Sequence, residues 1–215
     1  HNRTHSFPTR RSSDLTERAR AYRGFLDAGG ELLQRFATFL AIGERGGVGS
    51  DWRRWPAELR RPDGAAIDAF RAAHAEAVGF HLWLHFELDR QLGQVAARAR
   101  DGGLGLGLYQ DLALGSEASG FDAWAFPELA TDGVTLGAPP DDYAREGQDW
   151  GLEPLDPHRL LATGCGFWTE LLERGLASSG ALRIDHVLGL VRQFWIPRGA
   201  GATEGAYVRF PTREL

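Results

Sequence analysis

Methionine and lysine are absent from this 215-residue sequence, and cysteine occurs once, at position 165. Because there is no initiator methionine, we expect the sequence to be part of a longer reading frame. All 24 Lys/Arg positions are arginine, which is typical of a GC-rich gene. A single cysteine excludes an internal disulfide framework and favours a reducing, cytoplasmic location.

Long apolar runs and an excess of positive charge are also lacking. No run approaches the roughly 18 residues that a membrane-spanning helix needs, and no signal peptide is evident. The net charge of −5 argues against nucleic acid or an anionic membrane as the main partner. With 43% apolar and 25% charged residues, the composition is that of an ordinary globular protein with one good core.

The first fifteen residues look foreign to the rest of the chain. The stretch SFPTRRSSDL at positions 6–15 reads like the translation of a sequencing-adapter oligonucleotide. We therefore predict that residues 1–15 are a non-native, disordered segment. The natural part, residues 16–215, is predicted to be one partial catalytic domain.

Hydrophobic spacing predicts how this domain is organised. Apolar residues at helical spacing predict helices over 16–41 (broken at Gly29-Gly30), 65–100 and 157–176, the last capped by Asp156. Apolar runs predict one strand over 104–114 and another just before Asp185. Residues 115–157 show almost no periodicity, so we expect a long irregular loop there.

Strands that alternate with helices, and that carry polar residues at their ends, are typical of a (β/α)8 barrel. We therefore predict an α/β fold, a partial TIM barrel with long active-site loop insertions. Two barrel-like strands with their flanking helices would make about half of such a barrel.

The segment RIDH, residues 183–186, is the strongest candidate for chemistry. Successive side chains of a strand alternate between its faces, so Arg183 and Asp185 should point one way and His186 the other. An arginine beside an aspartate favours the ionised carboxylate, which can act as a nucleophile or as an electrostatic stabiliser. The structural alternative is an ordinary ion pair at the edge of a strand.

Further acidic and aromatic residues lie in and beside the predicted loop. A pyranose has an apolar face that stacks on aromatic rings and a polar rim that binds Asp, Gln and Arg, so these residue types predict a sugar site. The candidates are Asp111, Trp124, Asp141, Tyr143, Gln148 and Trp150. No spacing of His, Cys or acidic residues supports a metal site, and we expect neither a metal nor a cofactor.

The following motifs occur in this order along the chain: GLYQDLALG, FDAWA, GAPPDDYAREGQDWG, GLEPLDP, GALRIDHVLGLVRQFWIP and GAYVRFP. Together they resemble the 4-alpha-glucanotransferases, also called amylomaltases or disproportionating enzymes, of glycoside hydrolase family 77 in the alpha-amylase clan. The resemblance covers about residues 57–211 and is strongest over 106–211. One departure is Glu153-Pro154, where the family often has two prolines.

The resemblance implies a role for each site residue. Asp185 matches the catalytic nucleophile of the family, and Arg183 matches the arginine that keeps this aspartate ionised. His186 and Asp111 match residues that bind the sugar next to the scissile bond. The PPD and GQDWG motifs, which supply Asp141, Gln148 and Trp150, resemble a loop that closes over the glucan; Tyr143 lies in the same loop.

The implied activity is transfer of α-1,4-glucan segments to the 4-hydroxyl of an acceptor glucan or glucose, by double displacement with retention. The expected substrates are maltooligosaccharides and dextrins from starch or glycogen. The family places its acid/base Glu and a stabilising Asp on later strands, so we expect these 215 residues alone to be inactive. The alternatives are an alpha-amylase-type hydrolase and a non-catalytic glucan-binding module.

Overall fold

The computed structural model describes residues 16–45, 49–113 and 115–211. Within these ranges the α-helices are α1 Glu17–Arg45, α2 Ala65–Ala73, α3 Ala75–Asp101, α4 Phe121–Ala125, α5 Pro157–Ala162 and α6 Gly166–Leu176. The strands are β1 Tyr109–Leu112, β2 Ser116–Glu117, β3 Val134–Ala138, β4 Gln148–Glu153, β5 Ala181–Ile184, β6 Arg192–Pro197 and β7 Ala206–Arg209. The prediction for residues 1–15 lies outside the described residues.

The two long helices, α1 and α3, pack against each other. As the sequence predicts, α1 is interrupted, and Gly30 has the non-helical dihedrals φ 53° and ψ −148°. The helix predicted over 65–100 is instead two helices, because His74 leaves the helical region at φ −123°. The helix predicted over 157–176 is likewise divided, by a left-handed Cys165 at φ 57°. Asp156 caps α5 as predicted, accepting from the backbone N–H groups of His158 and Arg159.

An aromatic core joins the helical layer to the residues that follow it. Trp55 and Trp124 are each 1% exposed, and both rings contact Phe39 of α1. The indole N–H of Trp124 donates to the carbonyl of Leu59 at 2.9 Å. Trp124 is therefore a core residue, and its prediction as a sugar-binding aromatic is wrong.

The two predicted barrel strands are neighbours, since β1 and β5 form a parallel pair. The strand predicted over 104–114 is shorter than expected and begins only at Tyr109. Gly180 directly precedes β5, at a point where the chain passes close to Leu106. A Cβ at position 180 would lie 1.8 Å from the carbonyl oxygen of Leu106, so a side chain does not fit there.

A five-stranded antiparallel sheet, in the order β2-β4-β3-β6-β7, occupies most of the remaining chain. The prediction of an irregular loop over 115–157 is therefore wrong, because this range contains β2, α4, β3 and β4. The register shifts between Leu136 and Gly137, where β3 meets β4, and such an irregularity interrupts the two-residue period that identifies a strand.

The described chain thus has an α/β fold, with a pair of long packed helices, a parallel strand pair and a separate antiparallel sheet. Within the described residues, no helix combines the length and the apolar character needed to cross a membrane.

Candidate active site

Arg183 joins the two acidic residues at the ends of the parallel strands. In the register of β1 and β5, Asp111 lies directly opposite Arg183. One terminal nitrogen of the guanidinium, Nη1, is 3.5 Å from Asp111 Oδ2, and the other, Nη2, is 3.7 Å from Asp185 Oδ1. All three side chains are more than half exposed, so the cluster is open to a ligand.

The chain turns sharply directly after β5. The backbone N–H of Asp185 donates to the carbonyl of Leu112 at 3.0 Å, which extends the parallel ladder by one residue. His186 then adopts the left-handed conformation, with φ 47°. This turn ends the alternation of a strand, so the prediction that Asp185 and His186 face opposite ways is wrong. Both residues line the same cavity.

This cavity has a volume of about 540 Å³ and lies where the turn meets the antiparallel sheet. Trp150 of β4 faces His186 edge-on, with ring centroids 5.2 Å apart and an angle of 80° between the rings. Gln148 accepts a hydrogen bond from the Trp150 indole N–H at 3.0 Å, which fixes the orientation of the indole. The lining residues are Ala113, Gly115, Leu136, Trp150, Leu152, Asp185, His186, Gln193 and Phe194.

The other predicted loop residues lie outside this lining. Asp141 Oδ1 accepts hydrogen bonds from the backbone N–H groups of Tyr143 and Ala144, at 2.8 and 2.6 Å, so the carboxylate closes its own turn. The side chain of Tyr143 is fully exposed. Of the predicted site residues in the described chain, the cavity thus brings together Asp185, His186 and Trp150, with Gln148 behind the indole.

Gln193 is the polar residue of the lining that the sequence did not identify. It lies on β6 and is only 4% exposed. Both faces of β6 are largely buried, so its sequence shows no alternation of apolar and polar residues that would have revealed an inward-facing glutamine.

The two histidines of α3 take part in packing. His81 is buried, with Nε2 3.2 Å from a carboxylate oxygen of Glu44. His85 packs edge-on against Phe36, and burial lowers its pKa, with the nearby His81 adding to the effect. In the described part of the chain, no three His, Cys, Asp or Glu side chains are grouped so that they could hold a metal ion.

Comparison with known proteins identifies a family to which the chain is similar. The model of glycoside hydrolase family 77, described as 4-alpha-glucanotransferase, matches residues 3–215. A 4-alpha-glucanotransferase of Mycobacterium tuberculosis is 44% identical over 190 residues, which is 88% of this chain and 26% of the relative.

Two solved structures share the fold. An amylomaltase from Corynebacterium glutamicum superposes with a TM-score of 0.78 at 35% identity, over 96% of this chain and 27% of that one. An amylomaltase from Streptococcus agalactiae in complex with acarbose gives a TM-score of 0.84 at 25% identity, over 93% and 41% of the two chains. The present chain thus spans between about a quarter and two fifths of the length of these proteins. On this combined basis, the chain belongs to the 4-alpha-glucanotransferase family, glycoside hydrolase family 77.

Proposed function

We propose that the complete protein is a 4-alpha-glucanotransferase and that Asp185 is its nucleophile. The observation that carries this proposal is the position of Asp185, which lies at the end of a parallel strand, beside Arg183 and in the wall of the cavity. Membership of the family and the acarbose bound by the Streptococcus agalactiae amylomaltase both favour an α-glucan as the ligand.

The reaction proceeds in two displacements. The carboxylate of Asp185 attacks the anomeric carbon of a donor glucan, the glycosidic bond breaks, and its oxygen leaves with a proton from a carboxylic acid. The 4-hydroxyl of an acceptor glucan then attacks the same carbon and displaces Asp185. Its proton passes to the second carboxyl group, the one that protonated the leaving oxygen in the first displacement. Two inversions at one carbon give net retention.

The residues around Asp185 hold the sugar and the charge. Arg183 places positive charge beside the carboxylate of the nucleophile, and Asp111 on the neighbouring strand accepts hydrogen bonds from sugar hydroxyls. His186 binds the sugar beside the scissile bond, and Trp150 offers an aromatic surface to a pyranose face. Gln148 acts through the indole that it fixes.

The exposed turn at Asp141 and Tyr143 is proposed to close over a bound glucan, as the resemblance of its motifs implies. A retaining mechanism needs a second carboxyl group about 5–5.5 Å from the nucleophile. The family supplies it from a later strand of a (β/α)8 barrel, of which β1 and β5 are proposed to be two neighbouring strands. The proposed location is the cytoplasm, as predicted from the sequence.

The decisive experiment incubates the complete protein with maltotriose and follows glucose and longer maltodextrins. We expect disproportionation by the wild type and a loss of about 10³-fold or more in Asp185→Asn, with maltotriose binding retained. Glucose and maltose without longer products would instead identify a hydrolase. Binding without any turnover by the wild type would identify a glucan-binding module.

The 215 residues expressed alone give a second, independent arm. No motif match assigns the acid/base Glu within them, so we expect this polypeptide to release no glucose from maltotriose. Disproportionation by this polypeptide would show that its own carboxylates suffice, and would contradict the proposed origin of the acid/base residue.

A further inference from the structure

Gln193 is a buried glutamine in the wall of the cavity that contains the proposed nucleophile. It lies on β6, is 4% exposed, and shares the cavity lining with Asp185 and His186. A glutamine is costly to bury unless its amide is hydrogen-bonded, so its position calls for a partner at both ends of the carboxamide.

One end of the carboxamide has such a partner. The indole N–H of Trp195 donates to Gln193 Oε1 at 3.2 Å, two residues along the same strand. Because an indole N–H can only donate, the atom facing it must be the amide oxygen, and this fixes which way the amide is turned. The two donor hydrogens on Nε2 therefore point away from Trp195.

The other end of the amide has no protein partner among the residues that the structure describes. Oε1 accepts from Trp195, but no described side chain or carbonyl accepts from Nε2. The free space beside this side chain is the cavity itself, whose remaining polar lining residues are Asp185, His186 and Trp150.

The strand that carries Gln193 is held firmly in place. β6 is paired on both edges, with β3 and with β7, and Trp195 lies opposite Leu136 in the register of β3. A donor on a strand paired on both sides loses little freedom when a ligand arrives, so its hydrogen bond is made at low entropic cost.

We propose that Gln193 is a substrate-positioning residue, whose Nε2 donates to an oxygen of the glucan unit that occupies this cavity. The inference rests on the proposed function, because it takes the ligand to be an α-glucan. Sugar hydroxyl and ring oxygens are acceptors of the kind that an amide N–H needs, and a neutral donor binds them without adding charge beside Asp185.

The test measures maltotriose binding by calorimetry in the complete protein carrying Asp185→Asn, so that no turnover occurs. Gln193→Leu removes the donor and leaves an aliphatic side chain. Gln193→Glu keeps an oxygen that can accept from Trp195, but replaces the donor Nε2 with a second carboxylate oxygen. Each variant should raise the dissociation constant for maltotriose about 3- to 10-fold, the range for one lost neutral hydrogen bond.

Two further variants separate positioning from stability. Gln110→Leu is the matched control, because the Gln110 amide on β1 already donates to Ser178 Oγ at 3.4 Å, and its dissociation constant should not change. Trp195→Phe keeps the Gln193 amide but removes the indole that orients it, so it should give a smaller loss than Gln193→Leu. Melting temperatures measured in parallel show which variants are folded.

A dissociation constant within twofold of the parent in folded Gln193→Leu overturns the proposal, and Gln193→Glu repeats this test if the leucine variant does not fold. The proposal is also overturned if Gln110→Leu raises the dissociation constant for maltotriose by the same factor, because the loss of affinity would then not be specific to Gln193. Failure of the proposed function is seen separately, as a wild-type protein that binds maltotriose without disproportionating it.

Discussion

The guanidinium of Arg183 contacts Asp111, on the neighbouring parallel strand, through one terminal nitrogen, which leaves the other nitrogen for Asp185. The contact depends on the register of β1 and β5, which puts residues 111 and 183 side by side. A planar fork with two separate donors is what allows one side chain to serve two carboxylates at once.

Arg183→Lys should therefore reduce maltotriose disproportionation by the complete protein at least about tenfold, because one ammonium group cannot reach both carboxylates in this geometry. The three side chains are largely exposed, so the free energy of unfolding should change by less than about 1 kcal/mol. Arg174→Lys, in the surface pair with Glu170, is the matched control and should keep full activity. Full activity of Arg183→Lys would mean that the fork is not needed.

The edge-on contact between Trp150 and His186 connects the antiparallel sheet to the turn that carries Asp185. Trp150→Ala removes this contact and the aromatic wall, and should lower kcat/KM for maltotriose about tenfold. Trp150→Phe keeps a ring but loses the hydrogen bond to Gln148, so it should be intermediate. If alanine and phenylalanine act alike, the indole N–H rather than the ring is the important group.

Gly137 lies where β3 and β4 approach too closely for a side chain. A Cβ at this position would be 2.0 Å from the carbonyl oxygen of Gln148 and 2.5 Å from Ile196 Cδ1. Gly137→Ala should therefore destabilise the protein by about 1–3 kcal/mol, measured as a lower melting temperature. Gly93→Ala, in the exposed middle of α3 with no atom near its Cβ, should instead be neutral or stabilising by up to about 1 kcal/mol. Equal effects of the two substitutions would refute this packing argument.

The sequence predicted the neighbouring strands that carry Asp111 and Arg183 better than the rest of the fold, for reasons visible in particular residues. Asp111 and Arg183 end short apolar runs, and the parallel pairing of such runs brings their ends together. The cap at Asp156 and the kink at Gly30 depend only on neighbouring residues, so the sequence was enough to predict them.

What the sequence missed depends on contacts between distant segments. The antiparallel sheet was not predicted, because the alternation of apolar and polar residues that identifies a strand is not visible in its sequence. The register is irregular at Leu136–Gly137, and both faces of β6 are largely buried. The shared orientation of Asp185 and His186 was missed because one left-handed residue at the end of β5 reverses the expected facing. Gln193 was missed because both faces of β6 are largely buried.

Glu153 lies on the opposite face of β4 from the cavity, with its side chain only 12% exposed. Burial raises the pKa of Glu153, an effect that Arg198, 3.7 Å away, opposes and that Asp132 reinforces. The folded protein therefore binds this proton more tightly than the unfolded chain does. Stability consequently falls as the pH rises from the ordinary glutamate pKa through the raised one, and is constant above it.

Glu153→Gln removes this titration and keeps the shape of the side chain. Relative to wild type, the melting temperature of the complete protein should be higher at about pH 8, where the wild-type carboxylate is charged, than at about pH 4. If Glu153→Gln gains nothing at the higher pH, the attraction of Arg198 outweighs the cost of burial, and the direction assigned to the pKa of Glu153 is wrong.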